Sequence, residues 1–392
     1  MLLGFKTELK LNDKQRTLLL KHAGTARHAW NWGLGLTRQI LEHNKQCPSD
    51  EKIKFPTAID LHKWLVALVK PEHSWYYEVS KCAPQFALRH LRKAWDRCFR
   101  KIANPPKFKK KGKDDSFSLD GSIKVDHFKI RVPIIGWLKT YERLPQNYQP
   151  KLVTISRKAD RWFISFKIEV TAEVSAGIVS PIAVDLGLLR FATLSDNRIY
   201  DSPRPLKNLE QKLALLQWRN RNKEKGSNNW KKAQVKIARL HLKIANIRKD
   251  FLHKLTTQLA KNHSEIVIED LNVSGMLKNG KLAKAIADSG FYEFRRQLEY
   301  KTQLYGSKLI LADRWFPSSK TCSNCGFHHQ ELTLAERVFS CPACSWTGDR
   351  DLNACYNLVR LAKPDFKPVG QVEADFSWLN QELNVKSTFG LV

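Results

Sequence analysis

Four cysteines near the C-terminal end of the chain place the strongest constraint on how it can fold. Two Cys-x2-Cys pairs are separated by fifteen residues, and their members are Cys322, Cys325, Cys341 and Cys344. This spacing is typical of a four-thiolate zinc ribbon. Each pair presents two sulfurs from one tight turn, and two such turns complete a tetrahedron with no open position. The pattern predicts a structural zinc site, with disulfide pairing or a chance spacing as the less favoured alternatives.

The other cysteines and the histidines between the two pairs do not change this interpretation. Apolar neighbours surround four further cysteines, which we expect to be buried thiols: Cys47, Cys82, Cys98 and Cys355. His328 or His329 could replace one of the cysteine ligands, but four thiolates already suffice.

The charge balance favours a polyanionic partner. The chain has 67 Lys and Arg against 38 Asp and Glu, a formal net charge of +29, which indicates nucleic acid or an anionic membrane rather than a neutral metabolite. No apolar stretch approaches the roughly 18 residues of a membrane span. The first ten residues include Lys6, Glu8 and Lys10, which argues against a signal peptide. We therefore expect a cytoplasmic protein, for which a ribosomal or histone-like binder is the simplest interpretation.

Two basic regions are candidates for nucleic-acid contact. A loop after Pro105 and Pro106 carries one aromatic residue among lysines, namely Lys107, Phe108, Lys109, Lys110 and Lys111. The lysines could hold phosphates and the phenyl ring could stack on a base, although a merely solvated loop is the alternative. Residues 204–263 contain sixteen Lys and Arg but only three acids, an excess that solubility does not require.

The pattern of apolar residues divides the 392-residue chain into several parts, enough for two or three domains. A strand is predicted over 3–9, a helix from Asn12 or Asp13 to about His43, and strands between 116 and 170. The helical segment 13–115 is therefore expected to be an insert between the first strand and the later ones.

The C-terminal half alternates between short apolar strands and helices. Strands are predicted at 182–184 and 265–268, with a long helix between them whose apolar stripe runs from Ala233 to Leu259. Residues 274–290 are rich in Gly, Lys and Ala and are expected to form a mobile loop. A helix over 291–305 should follow.

Three acids occupy positions at which a metal site could form. Asp185 and Glu269 stand at the C-terminal ends of apolar strands, where ligands bind in open α/β sheets. Asp351 lies at a predicted helix start, where it could also be a simple N-cap. Carboxylates from neighbouring strand ends can share one metal ion, and hard oxygen ligands suit Mg2+ or Mn2+. Two such ions can promote phosphodiester hydrolysis.

The order Asp, Glu, zinc ribbon, Asp resembles the split RuvC nuclease of the TnpB family. These transposon-encoded, RNA-guided nucleases resemble ancestors of the type V CRISPR effectors. The resemblance covers about 1–363 and is more specific in the C-terminal half. It is carried by these segments: 183–187, 268–271, 315–326 and 349–354, with 106–109 and 116–117 upstream. In one departure, Cys355 stands where the family usually has a second small Ala.

The resemblance implies a multidomain α+β fold. An RNase H-like (RuvC) α/β nuclease domain would contain an inserted zinc ribbon, and a small β-barrel wedge domain would carry a helical recognition insert. The implied domains are an oligonucleotide-binding-like wedge (1–12 and 116–178), a recognition domain (13–115), a nuclease (179–313 and 346–363), a zinc-ribbon target nucleic-acid-binding domain (314–345) and a disordered tail (364–392).

The resemblance also implies an activity and its partners. A guide RNA from the transposon end would pair with one strand of double-stranded target DNA, beside a short motif that the protein reads. Asp185, Glu269 and Asp351 would bind catalytic Mg2+ or Mn2+, and the four cysteines would bind structural Zn2+. Further nucleic-acid contacts are expected from Arg314, Ser318, Ser319 and Lys320. We expect a monomer with one RNA, no membrane partner, and action at the prokaryotic nucleoid.

Three alternatives remain beside an active transposon nuclease. A nuclease-dead RNA-guided DNA-binding regulator is disfavoured because all three acids are present. A transposase acting directly on DNA is also disfavoured. A tyrosine transposase needs a His-hydrophobe-His motif, which the sequence lacks. A three-acid transposase usually orders its acids Asp, Asp, Glu, whereas the order here is Asp, Glu, Asp. A miniature CRISPR-associated type V effector cannot be separated by sequence from the first reading.

Overall fold

The computed structural model describes residues 1–113, 115–146, 148–171, 180–333 and 336–366. The chain forms two compact units. The first contains 1–170 and 228–242, and the second contains 171–227 and the residues from 243 onward. Most of the expected tail, 367–392, lies outside the described residues. Nowhere in the described ranges does a helix have the length and apolar character needed to cross a membrane.

The first unit begins with strand β1 (Leu2–Lys10), which leads into the long helix α1 (Asp13–Gln46). Asn12 caps this helix through a capping box. Its side chain accepts a hydrogen bond from the Gln15 backbone, and the Gln15 side chain accepts one from the Asn12 backbone. The predicted helix start is thus confirmed.

Helix α1 packs against helix α3 (Cys82–Phe99) at a point of close approach. A Cβ atom on Gly33 would lie 2.7 Å from Leu88 Cδ2, so a larger residue would push the two helices apart. Between them the chain forms helix α2 (Ala58–Trp64), one π-helical turn (Leu65–Val69) and one 3-10 turn (Ser74–Glu78).

An antiparallel sheet of seven strands completes the first unit, in the order β2-β6-β7-β1-β5-β4-β3. Along β1, residues from Leu2 to Glu8 pair with β7, whereas Leu9 and Lys10 pair with β5. β1 therefore joins two halves of the sheet. The other strands are β2 (Ser116–Asp120), β3 (Lys124–Asp126), β4 (Lys129–Val132), β5 (Gly136–Thr140), β6 (Leu152–Lys158) and β7 (Arg161–Glu169).

A five-stranded sheet forms the centre of the second unit, in the order β10-β9-β8-β11-β12. Neighbours β8, β11 and β12 run parallel, while β9 and β10 run antiparallel to their neighbours. The strands are β8 (Ile182–Leu186), β9 (Arg190–Leu194), β10 (Ile199–Asp201), β11 (Glu265–Glu269) and β12 (Lys308–Ala312).

Helices cover both faces of this sheet. Helices α4 (Pro205–Arg221) and α5 (Asn228–Asn262) follow β10, and α8 (Phe291–Tyr305) precedes β12. Leu252, Leu255 and Leu298 from α5 and α8 pack on one face. Helix α9 (Arg350–Val359) packs on the other face. The predicted stripe on α5 is confirmed, since Leu240, Ile244, Leu255 and Leu259 are buried.

The expectation of a mobile loop over 274–290 is wrong. Two short helices, α6 (Val273–Met276) and α7 (Ala283–Ser289), occupy this segment. Ile286 is buried in the core, and the buried Asp288 carboxylate accepts hydrogen bonds from the Leu206 and Lys207 backbones at the start of α4. The prediction relied on the Gly- and Lys-rich composition, which gives no indication that Ile286 and Asp288 make these tertiary contacts.

Between β12 and α9 the chain forms a small hairpin of β13 (Val338–Ser340) and β14 (Thr347–Asp349). The Cys341 and Cys344 pair lies in the turn of this hairpin. The architecture as a whole is a mixed α/β chain of more than one domain, as expected at that level.

Candidate functional site

Asp185 and Glu269 lie side by side on neighbouring parallel strands. In the register of β8 and β11, Val184 faces Ile268, so the next residues along the two strands are Asp185 and Glu269. Adjacent strands are about 4.8 Å apart. The structure therefore brings these two predicted acids together.

Both carboxylates are on the face of the sheet that α9 covers. Ala183 and Val267 pack with Cys355, Leu358 and Val359 of α9. Side chains two residues apart on a strand share a face, so Asp185 and Glu269 lie on that face too. Because α9 begins at Arg350, it carries Asp351 in its first turn.

Asp351 is not the N-cap of α9, because Asp349 has that role. The Asp349 Oδ1 atom accepts hydrogen bonds from the backbones of Asp351 (2.8 Å) and Leu352 (3.0 Å). Its Oδ2 atom pairs with Arg190 at 2.7 Å. The cap therefore leaves the Asp351 carboxylate available, with Arg337 and Arg350 within 3.6 Å of its Oδ1 atom.

The three acids interact electrostatically. Desolvation, followed by the charges of Glu269 and Asp351, raises the pKa of the Asp185 carboxyl well above its usual value. Burial and the Asp349 carboxylate raise the pKa of Asp351. Like charges resist ionising together unless a cation neutralises them. A divalent cation with oxygen ligands would relieve this repulsion, but among the described residues the ligand atoms of the three acids do not lie as close together as those of the four cysteines.

Asp270, directly after Glu269, has different surroundings. Its carboxylate pairs with Arg295 and, at 2.8 Å, with Arg314. These arginines lower the pKa of Asp270. Asp270 is thus already neutralised by two arginines, whereas neither Asp185 nor Glu269 has an ion pair within the described residues.

The four predicted cysteines converge. Their sulfurs all lie within 4.8 Å of one another, and the structure describes no second cluster of His, Cys, Asp or Glu ligand atoms as tight as this. The Cys322–Cys344 and Cys325–Cys341 sulfur distances are 3.7 and 3.5 Å. A tetrahedral site with zinc–sulfur bonds of about 2.3 Å has edges of about 3.8 Å. The cluster fits a zinc ion, and all eight cysteines of the chain are free of disulfides.

The basic loop at 107–113 is held against α1. The Trp30 indole donates to the Lys107 carbonyl (3.0 Å). Asn31 donates to the Lys109 carbonyl (3.0 Å) and accepts from its backbone N–H (2.8 Å). The guanidinium group of Arg38 lies 4.9 Å from the centre of the Phe108 ring, which is 48% exposed. The loop is therefore ordered by the protein and still presents Phe108, Lys110 and Lys111 at the surface.

The four residues predicted to touch nucleic acid beyond β12 have separate surroundings. Arg314 pairs with Asp270, and the Lys320 ammonium donates to the Gln330 carbonyl at 2.8 Å. Ser319 is half-buried. Ser318 is buried, and its hydroxyl donates to Glu269 Oε1 at 2.5 Å. No sequence feature predicts this last contact.

Sequence reasoning passed over Trp315. This residue is 84% exposed, the most exposed of the large hydrophobic side chains in the described chain. It lies three residues before Ser318. A Trp at so open a position offers a stacking surface for a base, whereas the nucleic-acid contacts predicted from the sequence included only its neighbour Arg314.

Cys355 is a packing residue. It is fully buried, and its thiol donates to the Thr193 carbonyl at 3.0 Å. Burial raises its pKa well above the ordinary value. Cys82 is buried as predicted, whereas Cys47 and Cys98 are half-buried.

Three family models match segments of the chain. Residues 164–280 match the OrfB_IS605 family, described as "Probable transposase". Residues 291–358 match the TNB domain of Cas12f1-like proteins. Residues 1–46 match the helix-turn-helix domain of OrfB_IS605, a segment that forms β1 and α1 in this chain.

The chain is similar over nearly its whole length to two bacterial proteins. One, from Escherichia coli K12, is named "Putative RNA-guided DNA endonuclease InsQ"; it is 34% identical, with 91% of each chain covered. The other, from Streptomyces pristinaespiralis, is named "Putative RNA-guided DNA endonuclease"; it is 38% identical, with 91% of this chain and 88% of the relative covered.

A solved structure shares the fold. It is Cas12f1 in a complex with sgRNA and target DNA. The match covers 89% of this chain and 83% of the Cas12f1 chain, with a TM-score of 0.54. At 15% sequence identity, this likeness bears on the fold alone.

Proposed function

The chain belongs to the TnpB family, and from this premise we propose that it is an RNA-guided DNA endonuclease whose metal-binding acids are Asp185, Glu269 and Asp351. The observation that carries the proposal is the register of β8 and β11, which sets Asp185 beside Glu269 on the face covered by α9. The relatives that match over 91% of this chain carry the same activity in their names.

The proposed metal site consists of oxygen ligands at one end of the parallel strands. Asp185 and Glu269 would each offer a carboxylate oxygen, and Asp351 would approach from the first turn of α9. When bound, Mg2+ or Mn2+ ions activate water and stabilise the leaving oxygen in phosphodiester hydrolysis. The chain's own contribution is to hold the acids together, while Asp349 caps α9 and pairs with Arg190 and Asp270 pairs with Arg295 and Arg314.

The zinc-ribbon assignment for 314–345 is supported by the sulfur distances and by the match of this region to the TNB domain. Burial raises the pKa of the Cys322 thiol to about 12. A bound Zn2+ ion displaces such thiol protons and closes the site. Its role is structural, because four sulfurs leave no position open for a substrate.

The proposed domain division follows the family. The helices and the sheet of the first unit would be the recognition domain and the wedge. The change of partner along β1, from β7 to β5, supports a barrel-like wedge because it turns the sheet around one strand. The sheet of the second unit has two antiparallel pairs, β10–β9 and β9–β8, and two parallel pairs, β8–β11 and β11–β12, and this order supports the RNase H-like nuclease.

Guide RNA and double-stranded target DNA are the proposed partners. The ordered loop at 107–113 supplies lysines for phosphates and Phe108 for a base. The excess of Lys and Arg between 204 and 263 supplies further counter-charge. One chain with one RNA is the proposed assembly, acting at the nucleoid.

The experiment is to express the chain with its native 3′ flanking DNA, purify it and sequence any bound RNA. We expect one discrete RNA that overlaps the end of the gene. Heterogeneous cellular RNA alone would contradict the guided mechanism and leave a general nucleic-acid binder.

A further inference from the structure

We propose that Ser318 is a positioning residue for metal binding at Glu269, and that α9 together with the first zinc-binding turn (Cys322–Cys325) holds Ser318 in place. The inference rests on the proposed function, because it concerns the same metal site. It assigns Ser318 to the carboxylate side of the reaction, rather than to the nucleic-acid contacts for which the sequence nominated it.

The first observation is the contact between Ser318 and Glu269. The Ser318 hydroxyl donates to Glu269 Oε1 at 2.5 Å, and the serine is 3% exposed. One oxygen of the carboxylate is thereby fixed, while Oε2 is left for a cation. Partners that hold a ligating carboxylate typically contribute 10- to 100-fold to metal affinity.

Ser318 is in turn held by α9. The Asn357 amide donates to the Ser318 carbonyl at 2.8 Å and to the Thr321 carbonyl at 2.6 Å. Asn353, one turn earlier, donates to the Thr321 carbonyl at 2.7 Å and accepts from the Ser323 backbone at 2.8 Å. Both asparagines are buried, at 5% and 0% exposure.

These two asparagines stand on the helix that also carries Asp351. Asn353 is two residues after Asp351 and Asn357 is six after it, so one rigid helix sets the third acid and the segment that contacts Glu269. A displacement of that segment would therefore shift the Glu269 carboxylate relative to Asp351.

The segment 318–323 also contains the first zinc ligand. Cys322 is 0% exposed and lies between Thr321 and Ser323, whose backbones Asn353 binds. The Cys322 N–H donates to the Phe327 carbonyl at 2.8 Å, and the Gly326 N–H donates to the Cys322 carbonyl at 2.9 Å, which closes the first zinc-binding turn. A zinc ion that fixes Cys322 thus fixes the end of the segment that begins at Ser318.

The test uses the full-length, zinc-loaded chain with Mn2+ as the probe, measured by the electron paramagnetic resonance of free Mn2+. Ser318→Ala is the test variant. Ser323→Ala is its matched control, since Ser323 is also buried in this segment, and its hydroxyl has no hydrogen-bond partner within the described part of the chain. Glu269→Gln tests the metal site itself.

We expect Ser318→Ala to weaken Mn2+ binding by about tenfold or more, with zinc content unchanged, and Ser323→Ala to match the wild type. In the guided cleavage reaction, Ser318→Ala should raise the Mg2+ concentration for half-maximal rate and preserve the rate at saturating Mg2+. Equal Mn2+ affinity for Ser318→Ala and Ser323→Ala would overturn the inference.

The Glu269→Gln variant separates the two claims. If it binds Mn2+ as the wild type does, the proposed metal site fails. If it loses Mn2+ while Ser318→Ala does not, only the positioning role fails. A further variant, Asn357→Ala, should weaken Mn2+ binding in the same direction with Ser318 intact; unchanged binding would remove α9 from the account.

Discussion

Replacing Asp185 by Asn should make the chain more stable in the absence of divalent cations while it removes DNA cleavage. The wild-type carboxylate is desolvated and lies beside Glu269, with Asp351 close enough to raise its pKa. An amide of the same shape carries no charge, so it relieves this repulsion and cannot act as an anionic ligand.

The size of the effect follows from the strand spacing. Adjacent strands are about 4.8 Å apart, and two charges held at about that separation repel by about 3 kcal/mol at an effective dielectric constant of about 20. Asn accepts fewer hydrogen bonds than the carboxylate, and the wild-type structure relaxes to reduce the repulsion, so the measured gain should be smaller than this figure. We therefore expect the free energy of unfolding to rise by about 1 to 3 kcal/mol.

The difference in the free energy of unfolding between Asp185→Asn and the wild type depends on pH. Because the pKa of Asp185 is higher in the folded state than in the unfolded state, the acid favours folding at low pH. That contribution is lost as the pH rises through the folded-state pKa. The stability gain of Asp185→Asn should therefore grow as the pH rises above the ordinary Asp pKa of 3.8, and it should vanish only well below that pH, where Asp185 is protonated in both states.

Urea unfolding in Mg2+-free buffer, followed from pH 4 to pH 8, measures this difference. Asp196→Asn is the control, because Asp196 is exposed and pairs with Arg198 away from the acids. Adding Mg2+ should reverse the order, since only the wild type gains stability by binding it. A loss of stability in Asp185→Asn at pH 8 without Mg2+ would refute the electrostatic reasoning.

Four further predictions address the other parts of the molecule. Cys322→Ser should leave an open three-thiolate site with less than one zinc per chain by elemental analysis; undiminished zinc would remove Cys322 as a ligand. Asn31→Ala removes two hydrogen bonds to Lys109, worth about 1 kcal/mol each, so guide RNA binding measured by filter retention should weaken by up to roughly thirtyfold; equal affinity would mean that the loop needs no ordering. Asp349→Ala should lower the free energy of unfolding by about 1 kcal/mol more than Asp349→Asn, because Asn keeps the cap; equal losses would place the whole effect in the Arg190 pair. Trp315→Ala should weaken binding of single-stranded DNA by about 1 to 3 kcal/mol if the indole stacks on a base, and unchanged titration curves would exclude that role.

The sequence predicted the elements that follow simple periodic rules. The Cys-x2-Cys spacing led to the four-sulfur cluster, and the apolar strands before Asp185 and Glu269 led to two neighbouring strand ends. The stripe on α5 and the cap at Asn12 were visible for the same reason, since each rests on residues near one another in the sequence.

Contacts between distant residues could not be predicted in this way. Ser318 is 49 residues from Glu269, and Asn357 is 39 residues from Ser318. Nothing in their local sequence identifies the partner. Asp349 and Asp351 also look equivalent in sequence, and only the hydrogen bonds of α9 show that one caps the helix. The helices at 273–289 were missed because their stability comes from Ile286 and Asp288 in the tertiary structure.

Guided cleavage of DNA is the most direct test of whether this chain is an RNA-guided endonuclease. The purified chain, its guide RNA and a linear duplex would be incubated with Mg2+, and the guide segment would then be changed to match a second position in the same duplex. We expect the cut to move to the new position, and we expect Asp185→Ala, which still binds the RNA, to make no cut at either position. Cleavage at a fixed site whatever the guide, or cleavage by Asp185→Ala at the wild-type rate, would contradict this proposal.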